Sequence, residues 1–253
     1  SALKAINKWV NDKTNGMIPK LHDENYDKDT IMVLLNALYM KAEWAHKFEG
    51  NDTYDREFTK ADGSAVTVPF MNMYEAYESY IKTEDAEGIM LPYDDGRLAF
   101  IALKPGSGDA RGYASSLTGA KLKELIAAAK ADTFVTVNMP KFSTGYSVYL
   151  TDALKAMGMT DAFDPFLADL SGAGRGVDGP LYISYVFQRV KVDVDEEGTE
   201  AAAVTEIATA EGCALPADEP IVLTFDKPFV YAIVDTETGV PLFAGVMENP
   251  EAK

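Results

Sequence analysis

The sequence has few of the cysteine and histidine residues on which disulfide-bonded proteins and many enzymes depend. It contains one cysteine, Cys213, so no disulfide can form within the chain. This does not fix the cellular compartment, because a large core can do without disulfides. The two histidines, His22 and His46, lie in unrelated contexts and no nucleophile motif is present, so we do not expect an enzyme. There is no apolar run of about 18 residues, so we expect no membrane span.

Basic residues are also scarce. Lysine and arginine number 23 against 40 aspartates and glutamates, which gives a formal net charge of −17. Such a field repels nucleic acid and anionic membrane surfaces, so we expect neither as a partner. The acidic clusters at Asp94-Asp95 and at 193–197 are interpreted as solvated or strand-end charge. We expect no cofactor and no metal.

Short strand patterns with helices at intervals make up most of the chain. Asp62-Gly63 joins REFT to AVTVPFMNM, Asp95-Gly96 joins GIMLPY to LAFIALKP, and both pairs predict hairpins. Residues 30–40 predict a strand buried on both faces, in which Asn36 must find hydrogen-bond partners. Periodicity predicts helices over 2–11, 117–129 and 148–157, with strands over 133–142, 181–194 and in the last third. With 253 residues, 47% of them hydrophobic, and no repeat or linker, we predict one α+β or largely β domain.

The segment 195–220 is long for a connection inside a compact domain, where about four to six residues are usual. Its alanines permit a helix, and a plain surface loop is a second alternative. Its β-branched residues disfavour the helix, and a period of two fits better. One face would then be small and uncharged, and the other would carry Glu200 and Glu206. The uncharged face comprises Thr199, Ala201, Ala203, Thr205, Ile207 and Thr209.

Six blocks of the sequence, in order, resemble the serpin family. EEGTEAAAVT at 196–205 resembles the hinge that precedes the family's reactive loop, and FDKPFVYAIVDTETGVPLFAGVMENP at 225–250 resembles its C-terminal signature. The other four blocks are INKWVNDKTNGMI at 6–18, LLNALYMKAEWAHKF at 34–48, VTVNMPKFS at 135–143 and LTDALKAMGMTDAF at 150–163. The resemblance covers essentially the whole chain without rearrangement.

The resemblance implies an α+β serpin fold with a multi-sheet β core, in which residues 1–253 belong to a single domain with a reactive loop at about 198–220. It implies a suicide-type inhibitor, whose loop is cleaved by a serine protease and then inserts between the strands at about 29–43 and 181–196. Asn36, Trp44 and Gln188 would belong to the region where the sheet opens. The hinge would comprise Glu196, Glu197, Gly198, Thr199, Glu200, Ala201, Ala202 and Ala203.

The family's spacing from the hinge glycine places the reactive bond near Gly212, Cys213 or Ala214. All three are small and uncharged, so the expected partner is a serine protease with a small S1 pocket, elastase-like or subtilisin-like. The resemblance further implies a monomer and an extracellular or secreted protein. The alternative is a non-inhibitory or substrate-like serpin that acts as a carrier or chaperone.

Three departures from the family pattern stand out. A full serpin has more chain before the position of Ser1, so we expect the N-terminal helices and two main-sheet strands to be missing, and the isolated chain not to inhibit. The sequence begins without the charged-then-apolar segment of a signal peptide. This gives no information about secretion if the chain is truncated. Gln188 occupies a position where many serpins carry histidine, and it can still hydrogen-bond to Asn36. The stretch between the hinge and FDKPF is also several residues longer than usual.

Overall fold

A computed structural model of the chain describes residues 2–22, 30–174, 176, 179–199 and 219–251. Four helices lie in these ranges: α1 Ala2–Lys13, α2 Ala110–Ser116, α3 Gly119–Ala128 and α4 Thr151–Ala156. The strands are β1 Val33–Leu38, β2 Ala42–Glu43, β3 Tyr54–Thr59, β4 Ala65–Lys82, β5 Ala86–Pro92, β6 Leu98–Pro105, β7 Lys130–Pro140, β8 Phe142–Tyr149, β9 Tyr185–Val194, β10 Gly198–Thr199, β11 Ile221–Thr224, β12 Phe229–Asp235 and β13 Val240–Met247. Single 3₁₀ turns lie at Gly50–Asp52 and Asp161–Phe163.

The chain divides into two compact units, Ser1–Met40 with Thr144–Val192, and Lys41–Ser143 with Asp193–Lys253. In the first unit, β1 runs parallel to β9 in a register from Val33↔Tyr185 to Leu38↔Val190, and β8 pairs with β9. Helix α1 covers one face of β1, because Val10, Ile18, Leu21 and Phe187 form a buried cluster to which Leu35 and Ala37 are added.

The second unit contains a larger sheet in the order β11-β7-β4-β5-β6-β12-β13, with β3 paired to β4. Helices α2 and α3 pack on this sheet through a cluster that includes Tyr113, Leu122, Leu125, Ile101 and Val230. Thr118 begins α3, since its hydroxyl accepts a hydrogen bond from the amide of Lys121. Among the described residues, no helix is long and apolar enough to cross a membrane.

Most of the elements that periodicity predicts are present. Helix α1 ends at Lys13, shortly before Asn15 and Gly16, which both have positive φ, and the two predicted hairpins turn at Gly63 and Gly96. The sequence does not reveal α2 or β8, and it underestimates β4, which continues to Lys82 through polar and aromatic residues. The prediction of one domain over residues 1–253 stays a prediction.

The expectation that the 30–40 strand is buried on both faces is wrong. Only Val33–Leu38 is a strand, and its residues are half-buried or exposed. Leu35 and Ala37 pack towards α1, whereas Leu34 and Asn36 point to the other face and are exposed. The side chains of this run are apolar on both faces of the strand, but only one face is covered. Because Asn36 lies on the uncovered face, it does not need the hydrogen-bond partners that a buried amide would require.

Candidate functional site

The candidate site is a tight turn that leads out of β9. After Val194 the chain reverses over residues 195–197 and returns as β10, which pairs antiparallel with Val194 and with β2. Asp195 shapes the turn: its amide donates to the carbonyl of Gly198 (3.0 Å), and its Oδ1 accepts from the amides of Glu197 (3.0 Å) and Gly198 (3.2 Å). Burial raises the pKa of Asp195, although these two amides act in the opposite direction. We call residues 195–199 the hinge turn.

Two aromatic residues, Trp44 and Phe48, donate hydrogen bonds to backbone carbonyls of the hinge turn. Trp44 donates from its amide to the carbonyl of Glu197 (2.9 Å) and from its indole Nε1 to that of Asp195 (2.9 Å). The amide of Phe48 donates to the carbonyl of Glu196 (3.0 Å). Because Trp44 is fully buried and makes both contacts, it fixes the turn from inside the unit.

Thr199 is buried where β10 begins. Its Oγ1 lies 2.6 Å from the hydroxyl of Tyr93, whose ring stacks on Trp44 with centroids 4.8 Å apart and planes at 8°. Thr199 is 1% exposed. Burial raises the pKa of Tyr93, and the hydrogen bond to Thr199 opposes this. The first residue of the predicted uncharged face therefore already lies in the interior of the second unit.

The two glutamates of the hinge turn are ion-paired. Glu196 accepts from Lys141 Nζ (2.6 Å) and from Thr53 Oγ1 (2.8 Å), while Glu197 accepts from Lys47 Nζ (2.7 Å). Burial opposes the ionisation of Glu196, but the hydrogen bond from Lys141, with smaller contributions from the backbone and Thr53, lowers its pKa overall. The hydrogen bond to Glu197, and then that to Glu43, raise the pKa of Lys47. Of the two interpretations of this acidic cluster, solvated or strand-end charge, the second fits both glutamates, because they follow the end of β9 and are paired with lysines distant in the chain.

Gly198 occupies a position that no other residue fits without displacement. A Cβ atom at this position would lie 2.2 Å from the carbonyl oxygen of Ala42 and 2.7 Å from Cα of Glu43, and φ is +155°. Both contacts are with the backbone of β2, so they cannot be relieved by a change of rotamer. The glycine thus allows β10 to lie close against β2.

In the first unit, Asn36 and Gln188 are direct partners in the parallel register of β1 and β9. Gln188 Nε2 donates to Asn36 Oδ1 over 3.3 Å, and the contact is exposed. The two side-chain amides form the hydrogen bond that the sequence predicts. Their role in opening the sheet stays a prediction.

The remaining predicted site residues lie outside the part of the chain that the structure describes: Glu200, Ala201, Ala202, Ala203, Gly212, Cys213 and Ala214. The sequence reasoning in turn missed Lys47, Thr53, Tyr93, Lys141 and the capping role of Asp195. No local signal identifies the first four, because Thr53 is 143 positions from Glu196 and Lys141 is 55. Within the described ranges, no group of three or more metal-binding side chains occurs.

Comparison with known proteins shows extended similarity. The family model described as serpin (serine protease inhibitor) matches residues 1–250. The chain is 32% identical over 250 residues to an uncharacterized serpin-like protein of Thermococcus kodakarensis, covering 99% of this chain and 57% of that protein. It is 36% identical over 252 residues to Iripin-5 of Ixodes ricinus, covering 98% and 62%.

Solved structures give the same result. The thermophilic serpin tengpin in its native state superposes with a TM-score of 0.87 at 36% identity, over 98% of this chain and 63% of that one. Native protease nexin-1 with heparin gives 0.83 at 26% identity, over 98% and 66%. The chain thus spans about three fifths of the length of the curated relatives reported above.

Proposed function

Since this chain belongs to the serpin family and has its fold, we propose that the protein is a suicide-type inhibitor of a serine protease. The observation that carries the proposal is the position of β10. Gly198 and Thr199 already pair antiparallel with Ala42–Glu43, and Thr199 also pairs with Val194. A loop that continues from Thr199 would extend a strand that has already begun, with the orientation that insertion requires.

The proposed mechanism starts when the protease attacks the loop as a substrate and forms an acyl-enzyme. The cleaved loop then enters the sheet as a strand, which requires β1 to separate from β9 along the register from Val33↔Tyr185 to Leu38↔Val190. The protease moves with the loop and its active site is distorted. Deacylation then stalls, because the loss of one oxyanion donor alone slows an acyl-transfer enzyme by about 10²–10³.

The hinge turn is suited to act as the pivot of this movement. Trp44 and Phe48 hold its carbonyls, and lysine side chains hold both of its glutamates. A fixed pivot keeps the loop in register with the gap it must enter. Loop residues with side chains on the small, uncharged face would be buried on insertion, whereas a charge at such a position would oppose burial.

The proposed target has a shallow S1 pocket. Gly212, Cys213 and Ala214 offer small, uncharged side chains, which suit an elastase-like or subtilisin-like protease and not one that requires lysine or arginine. We further propose that the protein is secreted and monomeric, in keeping with the family resemblance.

The test uses the full-length protein and a panel of serine proteases with different S1 pockets. We expect a covalent complex that survives SDS, formed with elastase-like or subtilisin-like members. Mass spectrometry of the released C-terminal peptide should place the cut between Ala210 and Pro216. Clean cleavage without a complex would contradict inhibition and favour the substrate-like alternative.

A matched pair of variants tests insertion itself. Ala203→Arg places a charge on the face that would be buried, and it should abolish the complex while the loop is still cleaved. Ala202→Arg places the same charge one residue away on the solvent face, and it should leave trapping within about twofold of the wild type. Equal effects of the two substitutions would contradict the strand parity.

A further inference from the structure

One asparagine of the chain lies in the three-residue pattern that accepts N-linked oligosaccharide. In Asn51-Asp52-Thr53 a threonine follows the asparagine by two residues, and the residue between them is not proline. None of the other eight asparagines of the sequence is followed by serine or threonine at this spacing. Three residues match by chance often enough that the position of Asn51 in the fold decides whether the pattern is usable.

Asn51 is the middle residue of the 3₁₀ turn Gly50–Asp52, which comes directly before β3. Its side chain is exposed, and among the described residues it has no hydrogen-bond partner. Asn72 and Asn138 differ in both respects, because they are buried and their amides donate hydrogen bonds inside the second unit. A substituent on the Asn51 amide therefore breaks no contact of the folded protein.

The backbone around Asn51 is held in place from both sides. The amide of Asp52 donates to the carbonyl of Glu49 (2.9 Å), and the carbonyl of Asp52 accepts from Asn72 Nδ2 (2.6 Å). The hydroxyl of Tyr54 donates to Asp52 Oδ1 (3.2 Å). A group attached to Asn51 would thus project into solvent from a fixed point, which suits a bulky, solubilising oligosaccharide.

Thr53 is needed for two contacts that cannot exist at the same time. The transferase recognises the hydroxyl of the third residue of the pattern. In the folded chain, this hydroxyl donates to Glu196 Oε1 (2.8 Å), and Thr53 is half-buried. Because Glu196 follows Thr53 by 143 positions, the contact forms only after that later part of the chain has been made. The pattern is therefore accessible during synthesis and is closed once the hinge turn has formed.

We propose that Asn51 carries an N-linked oligosaccharide, which is attached before the hinge turn forms. This rests on the proposed secretion of the protein, since the pattern is used in secreted chains. In the transfer, Asn51 Nδ2 forms a bond to the anomeric carbon of an oligosaccharide carried on a lipid pyrophosphate. The bond between that carbon and the pyrophosphate oxygen breaks, and the lipid pyrophosphate leaves with the electron pair. The amide nitrogen loses one proton to a base of the transferase.

The test uses the full-length protein, secreted from a eukaryotic host by means of an added signal peptide. Trypsin cuts after Lys47 and Arg56, so the peptide of residues 48–56 contains Asn51 as its sole asparagine. We expect mass spectrometry to find hexose and N-acetylhexosamine on this peptide. Peptide-N-glycosidase should release the sugar and leave aspartate at position 51. Water enriched in heavy oxygen labels this aspartate and distinguishes it from one formed by earlier deamidation.

Three variants of the same protein locate the modification. Asn51→Gln removes the acceptor nitrogen from the pattern and should abolish the sugar. Thr53→Ser keeps the hydroxyl and should keep the sugar, whereas Thr53→Val removes the hydroxyl and should abolish it. A wild-type peptide without sugar overturns the proposal, and so does a peptide that is still glycosylated in Asn51→Gln.

The order of events is tested with detergent-solubilised transferase and its lipid-linked oligosaccharide. In one reaction they are present while the full-length chain is synthesised in a cell-free extract, and in the other they are added after the protein has folded. We expect at least about fivefold more modification in the first reaction, since the folded turn must open locally before Thr53 can be recognised. Equal modification in the two reactions would overturn attachment before folding.

The inhibitory function is measured separately on the same samples. Asn51→Gln should inhibit the target protease within about twofold of the wild-type rate, because an exposed substitution away from the loop changes free energies little. Sugar on Asn51 without any SDS-stable complex rejects the inhibitory function and leaves the modification standing. A complex formed by protein whose Asn51 stays unmodified during secretion rejects the modification alone.

Discussion

Glu196 is the acidic side chain of the hinge turn that is tied to two partners from distant elements, Lys141 and Thr53. Its carbonyl also accepts from the amide of Phe48. Because its folded-state pKa is lowered, the interaction stabilises the fold above the ordinary glutamate pKa of about 4.3. That stability is lost as the pH falls through the lowered value.

Glu196→Gln in the full-length protein should therefore lower the melting temperature at neutral pH. We expect a loss of about 1 kcal/mol, since the pair is partly open to solvent, and hence a fall of about 2–4 °C. The difference from the wild type should shrink as the pH is lowered below about 4. Glu57→Gln on exposed β3 is the control and should change the melting temperature by less than about 1 °C. Equal shifts in the two variants would contradict a special role for Glu196.

Glu78 shows the opposite behaviour. It lies on β4 with its side chain 3% exposed, and its Oε1 is 2.7 Å from Nδ1 of His46. Burial raises its pKa, and the hydrogen bond from His46 only partly offsets this. The folded state thus binds the proton more tightly than the unfolded state, and stability decreases as the pH rises through the raised pKa.

Glu78→Gln keeps the shape and a hydrogen-bonding group but removes the buried charge. We expect a higher melting temperature at pH 7.5, by about 2–4 °C, and little gain at pH 4, where the wild-type carboxyl is protonated. Thermal scans at the two pH values check this. A variant that melts below the wild type at pH 7.5 would show that the hydrogen bond with His46 outweighs desolvation.

At the scale of elements, the site depends on the close approach of β10 to β2. Gly198→Ala would set a Cβ against the carbonyl oxygen of Ala42, so either β10 leaves the sheet or β2 shifts. We expect a loss of about 1–3 kcal/mol and faster limited proteolysis near residue 199. Gly119→Ala, where a Cβ meets nothing within 4 Å at the start of α3, should be neutral or slightly stabilising. If both variants have the melting temperature of the wild type, β10 is not packed closely against β2.

The sequence predicts some strands of this protein better than others, and the reason is local. The hairpin at Asp62-Gly63 is indicated by adjacent residues, so the sequence predicts both its strands and its turn. The bulge at Tyr74-Glu75 and the full length of β4 carry no such signal, because they depend on pairing with β7 some 60 residues later. The exposure of Asn36 depends on which face of β1 the helix covers.

At the scale of the whole molecule, the proposed insertion would convert the loop from a connection into a strand. About ten added backbone hydrogen bonds at about 0.5–1.5 kcal/mol each would stabilise the product. One kcal/mol shifts the melting temperature of a protein of this size by about 2–4 °C. Nicking the loop with a protease that is not trapped should therefore raise the melting temperature of the full-length protein by at least about 10 °C.

Differential scanning calorimetry before and after nicking measures this change. The nicked Ala203→Arg variant serves as the control, because its loop is cut but carries a charge on the face that must be buried, and it should show a much smaller rise. A wild-type protein that melts at the same temperature after nicking would indicate a loop that does not insert.

The sequence by itself determined the family, the α+β class, the two hairpins and the alternation that makes the loop a candidate strand. Each of these depends on short stretches of consecutive residues. Only the tertiary structure decided that Trp44 holds Asp195 across 151 positions, that Lys47 and Lys141 neutralise the hinge glutamates, and that Thr199 is already buried against Tyr93. Periodicity specifies which face of an element is apolar, but not which distant element it meets. The partners of the hinge turn follow from the topology, which brings together segments that are far apart in the chain.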